Sequence, residues 1–350
     1  MATASLIDVL TRHQIYLEGV KAYQAQQFND VLLELQTELR KQFSRLRYNT
    51  LDEMTKSTLR SFITTLRESQ WRIYNGYTTV LLRMLRDFME ADVDVSAELF
   101  SAVTGQTIEE AQDSNDFAVL FGLLAASGTD KGNDRLWSTI LNSPIPANGL
   151  LLLPFITGFT NAAVNAIENI IRKGVANRWT VNQTLEAILG TKGANFRDGA
   201  LNGVNNQAGA VIATVLQHIN ATAQGSVGSI FYRKYRWVSI IDNATTKICR
   251  SRNGKIYEYG KGPLPPAHIR CRSKVVPVSI DTDDDDGPRS YYAWLRTQPA
   301  EVQNDILGKS KAEDVRSGKA KATDYPSFNE VKPLTIAQFR AKLRLMLTNG

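Results

Sequence analysis

The sequence predicts an α+β fold that is predominantly α-helical, with long N-terminal helices, a small β-hairpin unit and a short C-terminal helical tail. Apolar residues recur at spacings of three and four over most of residues 6–224, which is the period of an amphipathic helix. Near residue 231 the composition changes to β-branched and aromatic residues, which are typical of strands. We therefore expect four contiguous segments: a helical domain over 1–145, a second helical segment over 150–229, a β-rich basic core over 230–280, and an acidic linker with a helical tail over 281–350.

The helices are predicted from the apolar period and from the residues that interrupt it. The first is expected over 6–47, followed by helices near 56–69, 71–101, 107–126 and 134–141. Two prolines and a glycine predict a connector over 142–149. Further helices are expected over 154–178 and 197–224. Between them, Thr180 is expected to cap a short helix that ends at Gly190.

The β-unit is predicted from three short runs. A strand is expected over 233–241, and Asn253-Gly254 is expected to turn a hairpin within 248–259. Residues 274–280 fit an edge strand, because Pro277 has no N–H to donate to a central ladder.

The C-terminal part of the chain is predicted to be short and mixed. Five aspartates make 281–287 an acidic linker. We expect helical residues over 290–307 with a break at Pro299, a loop-rich stretch over 310–327, and a closing helix over 335–347 with Thr335 as its N-cap.

Composition excludes several classes of protein. The chain has 350 residues, of which 43% are hydrophobic and 22% charged, as in ordinary folded domains. No apolar run reaches the roughly 18 residues of a membrane span, and the N-terminus lacks the pattern of a secretory signal. Two cysteines do not make a disulfide framework. We expect a protein without a membrane partner that is made in a reducing cytoplasm.

The net charge of +6 is unevenly placed along the chain. Residues 230–274 contain eleven Lys and Arg and two acidic residues, a local net charge of +9. Such a segment predicts contact with nucleic acid or with an acidic protein surface, and the alternative is a solvated basic face. The residues expected to make the contact are Arg233, Lys234, Arg236, Arg250, Arg252, Arg270 and Arg272.

One dense cluster of chemically capable side chains lies in the same segment. Cys249, His268 and Cys271, with Asp242 as a fourth ligand, would suit a tetrahedral Zn²⁺ that ties together a small β-unit. Two alternatives remain open: the thiols pack as small buried groups around a hydrogen-bonded turn, or they form one disulfide. His13 and His218 fall in helical runs and are interpreted as incidental.

A catalytic role for the cluster is the weaker interpretation. A cysteine nucleophile with a histidine base, or a zinc nuclease, would use the same side chains. However, the sequence has no Gly-rich phosphate loop, no paired carboxylates and no His-Glu metalloprotease motif. We therefore expect a protein without enzymatic activity.

The residues of the cluster resemble the signature of the phage Mu F-like minor head proteins, also called phage head morphogenesis proteins. That signature has an Asp, a Thr, a Cys and a Gly, then Pro-Pro-x-His and Cys-Arg. Here it reads Asp242, Thr245, Cys249, Gly254, Pro265-Pro266-Ala267-His268 and Cys271-Arg272. Downstream, the family's Trp-Leu-x3-Pro and Ile-Leu-Gly segment is matched by Tyr292, Trp294, Leu295, Gln298, Pro299 and Gln303-x3-Leu307-Gly308. The chain departs from many members in having Ile269 for a Pro, and from some in having Ser273 for a third Cys.

The resemblance implies a virion protein of the phage head, at or near the portal inside the capsid. Such a protein assists assembly, genome packaging or DNA delivery. The partners it implies are the portal protein, a major capsid or scaffold protein, and packaged double-stranded DNA bound non-specifically. We expect the chain to be oligomeric in the particle and to lie in the host cytoplasm during assembly. A non-specific DNA-binding component of the ejection apparatus is the alternative function.

Overall fold

Helices make up most of the described chain and accompany one small antiparallel sheet, which confirms the predicted fold class. The structure, a computed structural model, describes residues 6–113, 130–278, 291–325, 327 and 329–348. The helices that precede the sheet are α1 (Leu6–Ser44), α2 (Lys56–Thr104), α3 (Ile108–Asp113), α4 (Asp130–Asn142), α5 (Leu152–Ala176), α6 (Val181–Leu189) and α7 (Ala200–Phe231). Those within and after it are α8 (Lys247–Arg252), α9 (Tyr291–Thr297), α10 (Ala300–Leu307), α11 (Lys309–Arg316) and α12 (Ile336–Thr348).

The second long helix differs from its prediction. Two helices were expected over 56–69 and 71–101, but α2 is continuous through residue 70. The polar residues there do not end the helix, because they bond within it: Ser69 Oγ donates to Thr65 O and Gln70 Nε2 donates to Leu66 O. Two adjacent polar residues therefore do not end a helix when both side chains donate to backbone carbonyls of the preceding turn.

Two predicted segments extend beyond the described residues. The helix expected over 107–126 is represented by α3, and the rest of it falls in 114–129, outside the described residues. The acidic linker at 281–287 lies outside them entirely. Among the helices that the structure describes, none is long and apolar enough to cross a membrane.

The chain divides into two compact units, each assembled from separated segments. The first comprises residues 1–23, 85–152 and 213–350, and the second comprises residues 24–84 and 153–212. The four contiguous segments expected from the sequence do not coincide with these units. The physical reason is that α1, α2 and α7 each continue from the residues of one unit into those of the other.

Aromatic packing forms much of the core of the second unit. The ring of Phe28 on α1 meets those of Tyr77 and Phe159 edge-on, at centroid distances of 5.1 and 5.9 Å. Tyr74 of α2 also meets Phe159 edge-on and is 1% exposed. Edge-to-face pairs add about 0.5–1.5 kcal/mol to the burial of their area, so these ring contacts stabilise the packing of α1, α2 and α5.

The sheet belongs to the first unit and has three antiparallel strands. They are β1 (Lys234–Ser239), β2 (Ile256–Glu258) and β3 (Ser273–Val278), in the order β2-β1-β3. The prediction that Pro277 marks an edge strand is confirmed. Within β1, residues 235–239 are all buried, so the sheet is covered on both faces along this strand.

The prediction of an Asn-Gly hairpin is correct for the strand that follows the turn and wrong for the strand that precedes it. Residues 247–252 form the helix α8 instead of a strand, and only β2 follows the turn. Two hydrogen bonds connect the turn to β1. Asn253 Oδ1 accepts from Ser239 N, and Gly254 N donates to Trp237 O. Gly254 has φ +81, which a glycine adopts without strain. Burial of Cys249 against the sheet overrides the strand preference of the residues beside it.

The C-terminal helices follow the predicted breaks with one exception. Pro299 separates α9 from α10, and Thr335 and Gln338 form a reciprocal cap at the start of α12. A loop was expected over 310–327, but α11 forms there. Its Arg316 donates to Asn304 of α10, so pairing with a neighbouring helix stabilises a segment that is polar by composition.

Candidate metal-binding site

Three side chains from three segments of the β-unit meet beside β1. Cys249 lies on α8, His268 on the loop after β2, and Cys271 just before β3. Cys249 Sγ is 3.1 Å from His268 Nε2 and 3.8 Å from Cys271 Sγ. The two sulfurs and one ring nitrogen all lie within 4.8 Å of one another. The fold therefore brings together three of the four residues predicted as ligands.

The orientation of the imidazole presents one nitrogen to the sulfurs. His268 Nδ1 is 2.8 Å from Ile269 O, and a carbonyl can only accept, so Nδ1 carries a proton. Nε2 is then the atom available to a metal. A ligating histidine commonly has its other ring N–H held by a carbonyl in this way.

Burial protects both thiols. Cys249 is 1% and Cys271 0% exposed, and both pack against Trp237 of β1. Trp237 Nε1 donates to Ser239 Oγ, which donates in turn to Cys249 O. The guanidinium of Arg252 lies 5.1 Å from the centroid of the Trp237 ring. These contacts fix the backbone that carries the cysteines.

The two thiols differ in acidity because they interact with each other. A hydrogen bond from Cys249, with a further contribution from His268, places the pKa of Cys271 well below its usual range. The pKa of Cys249 is raised, first by the same hydrogen bond and then by burial. Hydrogen bonding to Cys271 raises the pKa of His268. The cluster thus favours one thiolate, and the thiolate is the form that binds a metal.

Asp242 is not a ligand in this arrangement, which corrects its predicted role. Its carboxylate accepts two bonds of 2.6 Å from Arg272, and Oδ1 also accepts from Ala244 N and from the hydroxyl of Thr245. The residue is fully buried. A buried carboxylate needs a counter-charge and hydrogen bonds, and Arg272 supplies the charge in bidentate geometry.

The donor set fits a thiophilic metal ion. Two sulfurs and an imidazole nitrogen are ligands that Zn²⁺ prefers. The observed Sγ–Sγ distance of 3.8 Å equals the edge of a tetrahedron with metal–sulfur bonds of about 2.3 Å. Both cysteines are free thiols here. Cys249, His268 and Cys271 can therefore hold a metal ion, and they are the one such group among the residues that the structure describes.

The predicted basic contact surface is smaller than the sequence indicated. Arg233, Arg250 and Arg270 are exposed, and Lys234 and Arg252 are half-buried. Arg236 is only 6% exposed, and Arg272 is bound to Asp242. The expectation that these last two face a partner is corrected, because β1 carries Arg236 into the core and a buried carboxylate holds Arg272.

Sequence reasoning missed the side chains that reach the site from α1 and α7. Lys21 Nζ donates to Cys271 O at 3.3 Å and to Gln217 Oε1 at 2.6 Å, and Gln217 Nε2 donates to Ser273 O. Both residues are buried. The available signal was helical spacing: Lys21 lies four residues after the buried Leu17 on α1, and Gln217 lies four residues before the buried Ala221 on α7. Polar residues at such positions indicate buried hydrogen bonds.

Family models, curated proteins and solved structures were all compared with this chain, and none of them matches it.

Proposed function

We propose that this chain is a minor head protein of a tailed phage, placed at or near the portal inside the capsid. It would assist head assembly, genome packaging or DNA delivery. The observation that carries the proposal is that the signature residues meet in one small unit and bond to one another. Asp242 pairs with Arg272, Thr245 bonds to Asp242, and Cys249 meets His268 and Cys271.

The roles of these residues favour assembly over catalysis. The reactive sulfurs are buried against Trp237, and the carboxylate of Asp242 is fully engaged. A side chain that is enclosed and saturated with partners stabilises a fold, whereas a catalytic group must reach a substrate. The signature is therefore interpreted as the framework of a rigid β-unit that displays other surface residues to a partner.

A structural Zn²⁺ is part of the proposal. Held by Cys249, His268 and Cys271, it would cross-link α8, the loop after β2 and the residues just before β3. Metal binding to a folded site adds to the free energy of folding. This suits a three-stranded unit whose sheet is too small to supply a large core of its own.

Metal analysis of purified protein tests the zinc component. We expect about one zinc per wild-type chain, none in Cys271→Ser, and wild-type content in His218→Asn, which changes a buried histidine outside the cluster. A wild-type protein purified without chelator that contains no stoichiometric zinc, and takes up none when zinc is added, contradicts this part of the proposal.

Particle composition tests the head function. We expect mass spectrometry of purified virions from the phage that encodes this chain to detect its peptides, and the protein to co-purify with the portal protein. An unrelated cytoplasmic protein of the infected host serves as the contamination control. Virions without any peptide of the chain would rule the function out.

Non-specific DNA binding is the second candidate, favoured by the exposed Arg233, Arg250 and Arg270. Cations on an open surface can neutralise phosphates without reading base sequence. The reduced number of exposed arginines makes this the weaker candidate.

A further inference from the structure

The second unit contains an open hollow that the proposed function does not use. It lies between α1, α6 and the loop over residues 190–199, and has a volume of about 410 Å³. Apolar and charged side chains both line it, including Arg40, Leu185, Glu186, Leu189, Lys192 and Phe196. The volume is in the range of pockets that enclose ligands, roughly 300–1,000 Å³.

The loop that forms one wall is tightly constructed. Asp198 accepts two bonds of 2.8 Å from Thr191, one from the backbone N and one from Oγ1. Gly190 has φ +91, and a Cβ there would lie 2.7 Å from Phe196 Cα; a Cβ on Gly199 would overlap the backbone of Gly190. The two chain ends of the loop therefore touch, and the side-chain bonds of Asp198 hold them in place.

The loop holds the backbone of Phe196 in an unfavourable conformation and leaves its ring partly exposed. Phe196 has φ +59, the left-handed region that side-chain-bearing residues rarely adopt, and it is 42% exposed. Such a backbone conformation is unfavourable and persists only where its surroundings enforce it. A strained backbone that keeps an apolar ring exposed beside a hollow indicates a surface arranged in advance for binding.

The charges of the hollow define the chemistry of its occupant. Arg40 and Lys192 are exposed, and neither forms an ion pair with a residue that the structure describes. Glu186 is the acidic residue of the lining. Two cations against one carboxylate, beside Phe196 and two leucines, fit a segment whose carboxylates flank an apolar side chain.

We propose that this hollow binds an acidic peptide segment of a partner protein. An apolar side chain of the segment lies against Phe196, Leu185 and Leu189, and its carboxylates face Arg40 and Lys192. Duplex DNA is a poor occupant, because a hollow of this size admits a short chain and offers two cations instead of an extended basic track. The inference does not depend on the head function, since it concerns the isolated protein.

Fluorescence anisotropy with the full chain tests the proposal. The probe is a fluorescein-labelled peptide, Gly-Asp-Asp-Phe-Asp-Asp-Gly, at low salt. Two matched peptides have Asn for every Asp, or Ala for Phe. We expect the probe to bind saturably and each matched peptide to bind about tenfold more weakly. Added salt should weaken the binding of the probe.

Substitutions locate the binding to the hollow. We expect Lys192→Glu and Phe196→Asn each to weaken the probe by about tenfold. Asn tolerates positive φ, so Phe196→Asn removes the ring without straining the loop, and circular dichroism confirms its folding. Lys41→Glu, on α1 but outside the lining, should bind as the wild type does. Absence of probe binding, binding unchanged in both variants, or displacement of the probe by a 12-base-pair duplex overturns the proposal.

Discussion

A buried polar residue can be satisfied by partners from distant helices, and His13 shows this clearly. His13, interpreted as incidental from sequence, has Nε2 2.5 Å from Asp92 Oδ1, and Asn220 donates to the other carboxylate oxygen at 2.8 Å. All three side chains are buried. Because a buried carboxylate without partners is costly, this triad is a structural element of the first unit that residue type alone could not reveal.

His218 predicts a pH-dependent stability. Burial lowers its pKa to about 4, against a hydrogen bond to the Ile140 carbonyl that raises it. As pH falls from about 6.5 to 4, the unfolded chain binds a proton here and the folded chain does not. This residue therefore lowers the free energy of unfolding by about 3 kcal/mol over that window.

Denaturant unfolding of the wild type and His218→Asn at several pH values measures this contribution. Asn retains a donor for the Ile140 carbonyl but cannot titrate. The variant should gain stability relative to the wild type as the pH falls below about 6.5. Parallel stability curves for the two proteins would show that His218 binds its proton equally in both states.

The Asp242–Arg272 pair predicts a large loss on removal of its cation. Arg272→Ala leaves a fully buried carboxylate without a counter-charge, which should cost about 3–5 kcal/mol of unfolding free energy. Arg272→Lys should lose less unfolding free energy than Arg272→Ala, because its ammonium keeps the charge but cannot bind both carboxylate oxygens in bidentate geometry. Chemical denaturation with the exposed Arg233→Ala as control checks this. Similar losses in the two alanine variants would contradict it.

Elements with a strong local start signal formed where the sequence placed them. Thr180 Oγ1 accepts from Gln183 N while Gln183 Oε1 accepts from Thr180 N, a complete capping box at α6, and Thr335 does the same at α12. α8 and α11 lack a side-chain cap, and both were predicted wrongly. Local capping can be read from sequence, whereas a helix stabilised by its neighbours cannot.

The cap of α6 predicts a modest and specific loss. Thr180→Ala removes the acceptor for Gln183 N and should lower the unfolding free energy by about 1 kcal/mol. Thr180→Ser keeps the oxygen and should change it little. The midpoint of urea unfolding, at unchanged slope, measures both. A serine variant as unstable as the alanine variant would show that the methyl group, and not the cap, is what matters.

Charge is a property of the whole molecule, and the fold reduces what the sequence offers. Of the eleven Lys and Arg in residues 230–274, six are exposed: Arg233, Lys247, Arg250, Lys255, Lys261 and Arg270. Arg236 and Lys274 are buried. Lys274 Nζ bonds to Thr11 Oγ1, and its burial holds the pKa of that amine well below the usual range. Net charge by itself therefore overstates the capacity of this segment to bind a polyanion.

Salt titration of DNA binding measures this capacity. Any affinity of the basic segment for duplex DNA should fall with a log–log slope no steeper than about −5, because each neutralised phosphate contributes about −0.9. All eleven cations would give about −10. Fluorescence titration between 50 and 200 mM salt, with Arg250→Ala expected to reduce the slope by about one, tests it. A slope near −10 would contradict the burial of these side chains.

The sequence by itself determined the fold class, the two capped helices, the edge strand at Pro277 and the grouping of Cys249, His268 and Cys271. Each of these depends on periodicity, on local hydrogen bonding or on residues whose chemistry is the same in any context.

Only the tertiary structure decided that Asp242 pairs with Arg272 instead of joining the metal ligands, that Arg236 and Lys274 are buried, and that Lys21 and Gln217 reach the site from distant helices. It also decided how Phe196 is held beside the hollow of the second unit. The physical reason is common to all of them: a charged or polar side chain is placed by partners far away in sequence, and their identity is settled only when the segments pack.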